Sequence, residues 1–192
     1  ATGFGIQTAA IGAGGAGPAP SYTILSATES YNGTSWTTVN SMNTARQQLA
    51  SAGTQTAGLG FGGYISTPTP VTAVTEEYDG SAWTAGGNLN TSRKKLAGSG
   101  IQTSGLAFGG ETATANTAVT EQYDGTSWTT VISLSTARGS LAGAGATAQT
   151  ALAFGGTNTT PAASSATEEF TSSIDVTTAA AWASGGNMGT AR

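Results

Sequence analysis

The chain has 192 residues, of which 8% are charged, with six basic side chains against ten acidic ones and a net charge of −4. Only Arg93, Lys94 and Lys95 cluster, so no basic face is expected for nucleic acid, and no apolar run reaches the ~18 residues of a membrane helix or follows a charged leader. Histidine and cysteine are both absent, which removes disulfides, ordinary zinc sites, imidazole acid–base catalysis and the Ser-His-Asp and Cys-His nucleophiles.

A glycine doublet recurs at Gly14-Gly15, Gly62-Gly63, Gly109-Gly110 and Gly155-Gly156, at spacings of 48, 47 and 46 residues. A period of that size belongs to propellers and solenoids. The repeats run approximately over 1–46, 47–93, 94–138 and 139–192, and units that stack only on their neighbours are expected to form one domain over 1–192. Repeat one carries Ala13 before its doublet, then Tyr31, the turn Asn32-Gly33, Trp36 and Arg46. Repeat two carries Phe61, Tyr78, the turn Asp79-Gly80, Trp83 and Arg93.

Repeat three shows the elements most clearly. Glycine and β-branched threonine are dense and no apolar period of about 3.6 persists for three turns, so strands are predicted over 96–103, 105–108, 118–123 and 128–132. Asp124-Gly125-Thr126-Ser127 is the hairpin between the last two, because glycine takes positive φ without steric cost; Tyr123, Trp128 and Arg138 keep the series. Repeat four has Phe154, then Phe170 in place of tyrosine, a longer path over 171–181, Trp182 and a closing Arg192. Ile174 and Val176 are the only candidates for an apolar anchor in that insertion.

An apolar strand ending in Gly-Gly, then a tyrosine, a tryptophan and an arginine resembles the kelch motif, and the resemblance covers essentially the whole chain. It implies a four-bladed, all-β propeller in which each repeat is a four-stranded antiparallel blade whose first strand lines the channel. Galactose oxidase is the best-known enzyme with such blades, but its copper chemistry needs His and Cys, so none of it carries over. The tracts also look like kelch-like repeats of environmental phage and bacterial surface proteins.

The remaining chemistry is that of carboxylates. Glu29, Glu76-Glu77, Glu121 and Glu168-Glu169 recur beside the strand-three aromatic, and alternation sends Glu76 and Glu77 to opposite faces. Recurrence in every repeat marks them as blade elements rather than a glycosidase pair, meeting a group such as the repeat arginine. Arg46, Arg93, Arg138 and Arg192, with Trp36, Trp83, Trp128 and Trp182, are therefore read as structural positions, against the alternatives of a carboxylate-binding arginine ring and sugar-stacking tryptophans. The Gly-rich stretch 12–17 belongs to the repeat and is not a phosphate loop. Gln7, Gln55, Gln102 and Gln149, each followed by Thr, are read as turn devices.

Function on a repeated scaffold resides where the repeats differ. The connections after each doublet, 16–22, 64–70, 111–116 and 157–164, are all unlike, which makes Tyr22, Tyr64, Glu111 and Asn158 the candidate contact residues. No catalytic residue, metal or cofactor is expected. The expected function is a non-enzymatic binding or structural module of a virion (tail or capsid-decorating) or cell surface, touching other virion or surface proteins, a host glycan or a receptor, with a homo-oligomer admitted. The alternative is a lectin or a carboxylate-dependent carbohydrate-active enzyme. Small residues along strand one suit a tight ring of four blades, which would bring the Cα atoms of Ala1 and Arg192 within about 10–11 Å.

Overall fold

The computed structural model describes residues 1–66, 70–158, 162–172 and 181–186, with the backbone alone for 181–184. Strands pair locally and antiparallel, because a hairpin turn follows each short run of alternating residues. Blade one comprises β1 (Thr2–Ile6), β2 (Ala9–Ala16), β3 (Ile24–Tyr31) and β4 (Trp36–Val39); blade two comprises β5 (Ala50–Thr54), β6 (Ala57–Phe61), β7 (Thr75–Tyr78) and β8 (Trp83–Ala85). Blade three follows with β9 (Ala97–Ile101), β10 (Ser104–Phe108), β11 (Thr120–Tyr123) and β12 (Trp128–Val131), and blade four with β13 (Ala142–Thr147), β14 (Thr150–Phe154), β15 (Thr167–Thr171) and β16 (Ala181–Ser184). Each blade is a four-stranded sheet with its strands in sequence order, and the molecule is a four-bladed β-propeller with no helix among the described residues.

The third predicted strand of repeat three starts two residues late, at Thr120 rather than 118. The carbonyl of Val119 is taken by the Gly109 N–H and the Arg93 guanidinium, so that residue serves the doublet instead of the ladder. The predicted hairpin turn is built on Asp124, whose Oδ1 accepts from the N–H groups of Thr126 and Ser127, both at 2.8 Å.

The inner strands β1, β5, β9 and β13 lie side by side in that order around the axis. Their alanine, glycine and serine side chains let backbones approach, leaving a narrow cavity of about 190 Å³ that all four repeats help to line. The apolar core lies between blades rather than within them, because a single sheet has no second layer of its own. One cluster joins Phe4 and Ile11 to Tyr78 and Trp83, a second joins Leu59 and Phe61 to Tyr123 and Trp128, and a third joins Leu106 and Phe108 to Ala153 and Phe170.

The doublet is the hinge of this arrangement. Gly109 and Gly110 have φ of 63° and 103°, which glycine alone adopts without penalty. A Cβ on Gly109 would also stand 2.8 Å from the carbonyl of Arg138. That carbonyl accepts from the Gly110 N–H at 2.8 Å, tying the end of the repeat back to its own blade.

Packing of this kind is seen at three junctions and not at the seam between blades four and one. Trp83 and Trp128 are each 5% exposed, but Trp36 is 52% exposed; Leu59 and Leu106 are fully buried, but Leu152 is 39% exposed. Among the described residues the two faces at this seam are exposed, and β13 and β1 do not make the side-by-side contact of the other inner strands; the expected approach of Ala1 and Arg192 involves a residue outside the described ones. Arg192, the side chain of Trp182, and Ile174 and Val176 lie outside the described residues.

Candidate functional site

Two polar systems are built from the charged residues, and they have different roles. The first lies inside the blade junctions. The Arg93 guanidinium reaches from repeat two into blade three, donating to the Gly109 carbonyl at 3.0 Å and to Glu121 Oε1 at 3.1 Å, and contacting the Val119 carbonyl. Arg46 repeats this on Gly62, Val74 and Glu76, and Arg138 on Gly155, Ala166 and Glu168, with ion pairs of 3.0 and 2.7 Å. All three guanidinium groups are fully buried. Burial pulls Arg93 down to about 10 while Glu121 pushes it back up, which leaves it a cation at neutral pH.

The glutamates also cap the preceding loop. Glu121 accepts from the N–H groups of Asn90 and Thr91 at 2.6 and 3.2 Å, and Glu76 from those of Asn43 and Thr44 at 2.7 and 3.2 Å. Each carboxylate is thus fully engaged by one loop and one arginine, an arrangement that positions a neighbouring blade and offers no free base. Tyr123 Oη donates to Glu77 Oε1 at 2.5 Å across the same junction; burial first, then this bond, pushes the phenol up to about 12.

Trp83 and Trp128 donate from Nε1 to Thr28 and Thr75 of the preceding blade at 3.1 and 3.0 Å. The glutamines lie in the turns between the first two strands of each blade, as expected, and two of them also reach outside their own blade. Gln55 Nε2 donates to the Tyr31 carbonyl at 2.6 Å and Gln102 Nε2 to the Tyr78 carbonyl at 2.8 Å, so each clasps the blade before it. Their recurrence showed that they were structural; the partner, 24 residues away in the chain, had no sequence signal.

The second system is on the loop face. Tyr64 and Glu111 occupy equivalent places, each bridging outwards to the far arm of its loop, at Val71 and Asn116, and inwards to Gln47 and Lys94. Lys94 connects the two loops: its Nζ lies 5.3 Å from the centre of the Tyr64 ring and 3.4 Å from Glu111 Oε1. Lys95 completes the cluster at 2.7 Å from Glu111 Oε2, and this bond, with both ammonium charges, holds the Glu111 carboxyl below its usual range. Lys95 has a φ of 54°, as Gln48 and Ser140 have 57° and 55° at the same repeat position. Their N–H groups link blade to blade round this end of the channel, Lys95 to the Gln48 carbonyl and Ser140 to that of Lys95, both at 2.8 Å.

Beyond Glu111 a polar groove of about 410 Å³ runs past Thr114 and Asn116 to Asn158. The structure therefore draws three of the four candidate contact residues, Tyr64, Glu111 and Asn158, into one stripe across blades two to four. Tyr22 stands apart on the blade-one loop, 64% exposed. Lys94 and Lys95 belong to the stripe and were read only as a charge cluster. Among the described residues no group of three or more potential metal ligands converges.

No family model and no curated protein matches the chain. Among solved structures it is similar to the one titled "Structure of YjhT", with a TM-score of 0.72 at 12% identity, over 84% of this chain and 53% of that one. At that identity the likeness is one of fold. The chain spans about half the length of that protein.

Proposed function

We propose that this chain is a kelch-type, non-enzymatic binding module of a virion or cell surface, and that it engages its target with the loop face. The observation that carries the reading is the division of labour among its charges. Arg46, Arg93 and Arg138 and the glutamates facing them are enclosed in blade junctions, whereas Lys94, Lys95 and Glu111, flanked by Tyr64 and Asn158, sit where the repeats differ. A shallow polar surface with an aromatic at one end suits a glycan or a polar protein epitope. The low charge and Ala-, Gly- and Thr-rich surface support placement on a virion or outside a cell, among other surface proteins.

A glycan array read in parallel with hydrolysis assays tests this. Binding without turnover, weakened by Tyr64→Ala or Glu111→Ala, is the expected result. Turnover abolished by Glu111→Gln would replace the reading with a carbohydrate-active enzyme.

A further inference from the structure

The hairpins that join the third and fourth strands of blades one, two and three share a geometry but not a chemistry. Asp79 and Asp124 open the turns of blades two and three, and each carboxylate oxygen accepts from two backbone N–H groups, those of Ser81 and Ala82 at 2.7 Å and those of Thr126 and Ser127 at 2.8 Å. The bonds from Ala82 and Ser81 hold the Asp79 carboxyl below its usual range, and those from Ser127 and Thr126 do the same for Asp124. Blade one has an amide in this place. Asn32 Oδ1 accepts from the N–H groups of Thr34 and Ser35, both at 3.0 Å. Asn32, Asp79 and Asp124 are all exposed, so access of solvent is a property of the hairpin itself.

Three features of the blade-one turn bear on the Asn32 side-chain amide. The next residue is Gly33, with a φ of 92°, and no Cβ keeps its nitrogen from approaching Asn32 Cγ. Its N–H is not engaged: among the described residues the bonds of this turn run from the Asn32 N–H to the Ser35 carbonyl and from the Thr34 and Ser35 N–H groups to Oδ1. Those last two donors also stand where negative charge gathers when Cγ becomes tetrahedral, at the distance from which fixed N–H groups stabilise an oxyanion.

We propose that Asn32 is a site of self-modification, at which the Gly33 nitrogen attacks Cγ and the side-chain amide is exchanged for a carboxylate. The nitrogen gives its proton to hydroxide as the N–Cγ bond forms; the Cγ–Nδ2 bond then breaks, and Nδ2 takes a proton from water and leaves as ammonia. The product is a five-membered imide. Water opens it at Cγ to give an aspartate, or at the main-chain carbonyl to give the β-linked isomer. One water is consumed and one ammonia released, with no oxidant, reductant or cofactor. The aspartate suits the fold, because it takes up the two N–H bonds that Asp79 and Asp124 already show, now charge-assisted, and it adds one negative charge to the hairpin.

Peptide mapping by mass spectrometry, on the folded chain held at mildly alkaline pH, tests the proposal. The position of Asn32 should gain the mass of an amide-to-acid exchange while Asn40, Asn43, Asn88, Asn90 and Asn116, each followed by a residue with a side chain, stay intact. Conversion should be at least as fast in buffer as in urea, since the folded turn supplies two oxyanion donors that the unfolded chain lacks. Asn32→Asp should keep the circular dichroism and melting temperature of the fresh chain. An Asn32 that persists in the folded chain, that converts only in urea or no faster than the other five, or an Asn32→Asp chain that melts earlier, would overturn it.

Discussion

The tryptophan series shows how one residue at one repeat position acquires different roles from its surroundings. Trp128 is enclosed, with its ring centre 4.9 Å from that of Phe61 and 5.0 Å from that of Tyr123. Trp128→Ala should cost about 3–5 kcal/mol in a denaturant titration, the range for a buried aromatic. Trp36→Ala should cost less than about 1 kcal/mol, as expected for a surface position. Equal losses at both sites would mean that Trp36 is covered. The Tyr123 phenol gives a pH signature. It ionises at about 12 in the folded chain against 10.0 in its ordinary state, so between those values the unfolded chain binds fewer protons. Its contribution is whole below pH 10 and is lost as the pH rises towards 12. Tyr123→Phe should make the alkaline limb of the stability profile less steep, leaving the part due to Tyr78, whose phenol burial also raises, and the opposing part due to Arg93, which burial lowers.

At the scale of the element, a blade is a sheet whose faces are completed by its neighbours. The inner strand is small-residue rich for a reason that the sequence shows only in outline. Gly98 is required less by the axis than by Phe61 of the blade before it, and an added Cβ would also stand 2.8 Å from the Ser51 carbonyl. Gly98→Ala should therefore cost about 1–3 kcal/mol by overpacking. Combining it with Phe61→Leu should cost less than the sum of the two, a coupling that a double-mutant cycle measures. Strict additivity would show that the two residues do not press on each other. The number and order of the strands, the Asx hairpins and the doublets were legible in the sequence, since each depends on residues close in the chain; the strand ends were not, because Val119 gives its carbonyl to the doublet and to Arg93. The clasping role of Gln55 and Gln102 was not, because the carbonyls they reach belong to another blade.

At the scale of the whole molecule, the carboxylates are dispersed, and the buried ones are already engaged. Glu76, Glu121 and Glu168 are each held by one arginine and by loop amides, whereas a hard-cation site needs several converging oxygens. A chelator should leave the melting temperature unchanged; a drop would reveal a metal that these contacts do not predict. The sequence by itself determined the four-bladed architecture and the kind of residue at every recurring position. Spacing between Gly-Gly, aromatic, tryptophan and arginine is a property of one hairpin ladder, written in consecutive residues. Tertiary structure decided which blade each side chain serves, so that Arg93 belongs to blade three and Trp128 seals blade two. It also decided which copies of a repeated residue are covered, and it gathered Tyr64, Lys94 and Glu111 into one cluster on the loop face. The physical reason is that repeats make every blade chemically alike, while burial and pairing depend on whether another sheet is packed against the face in question.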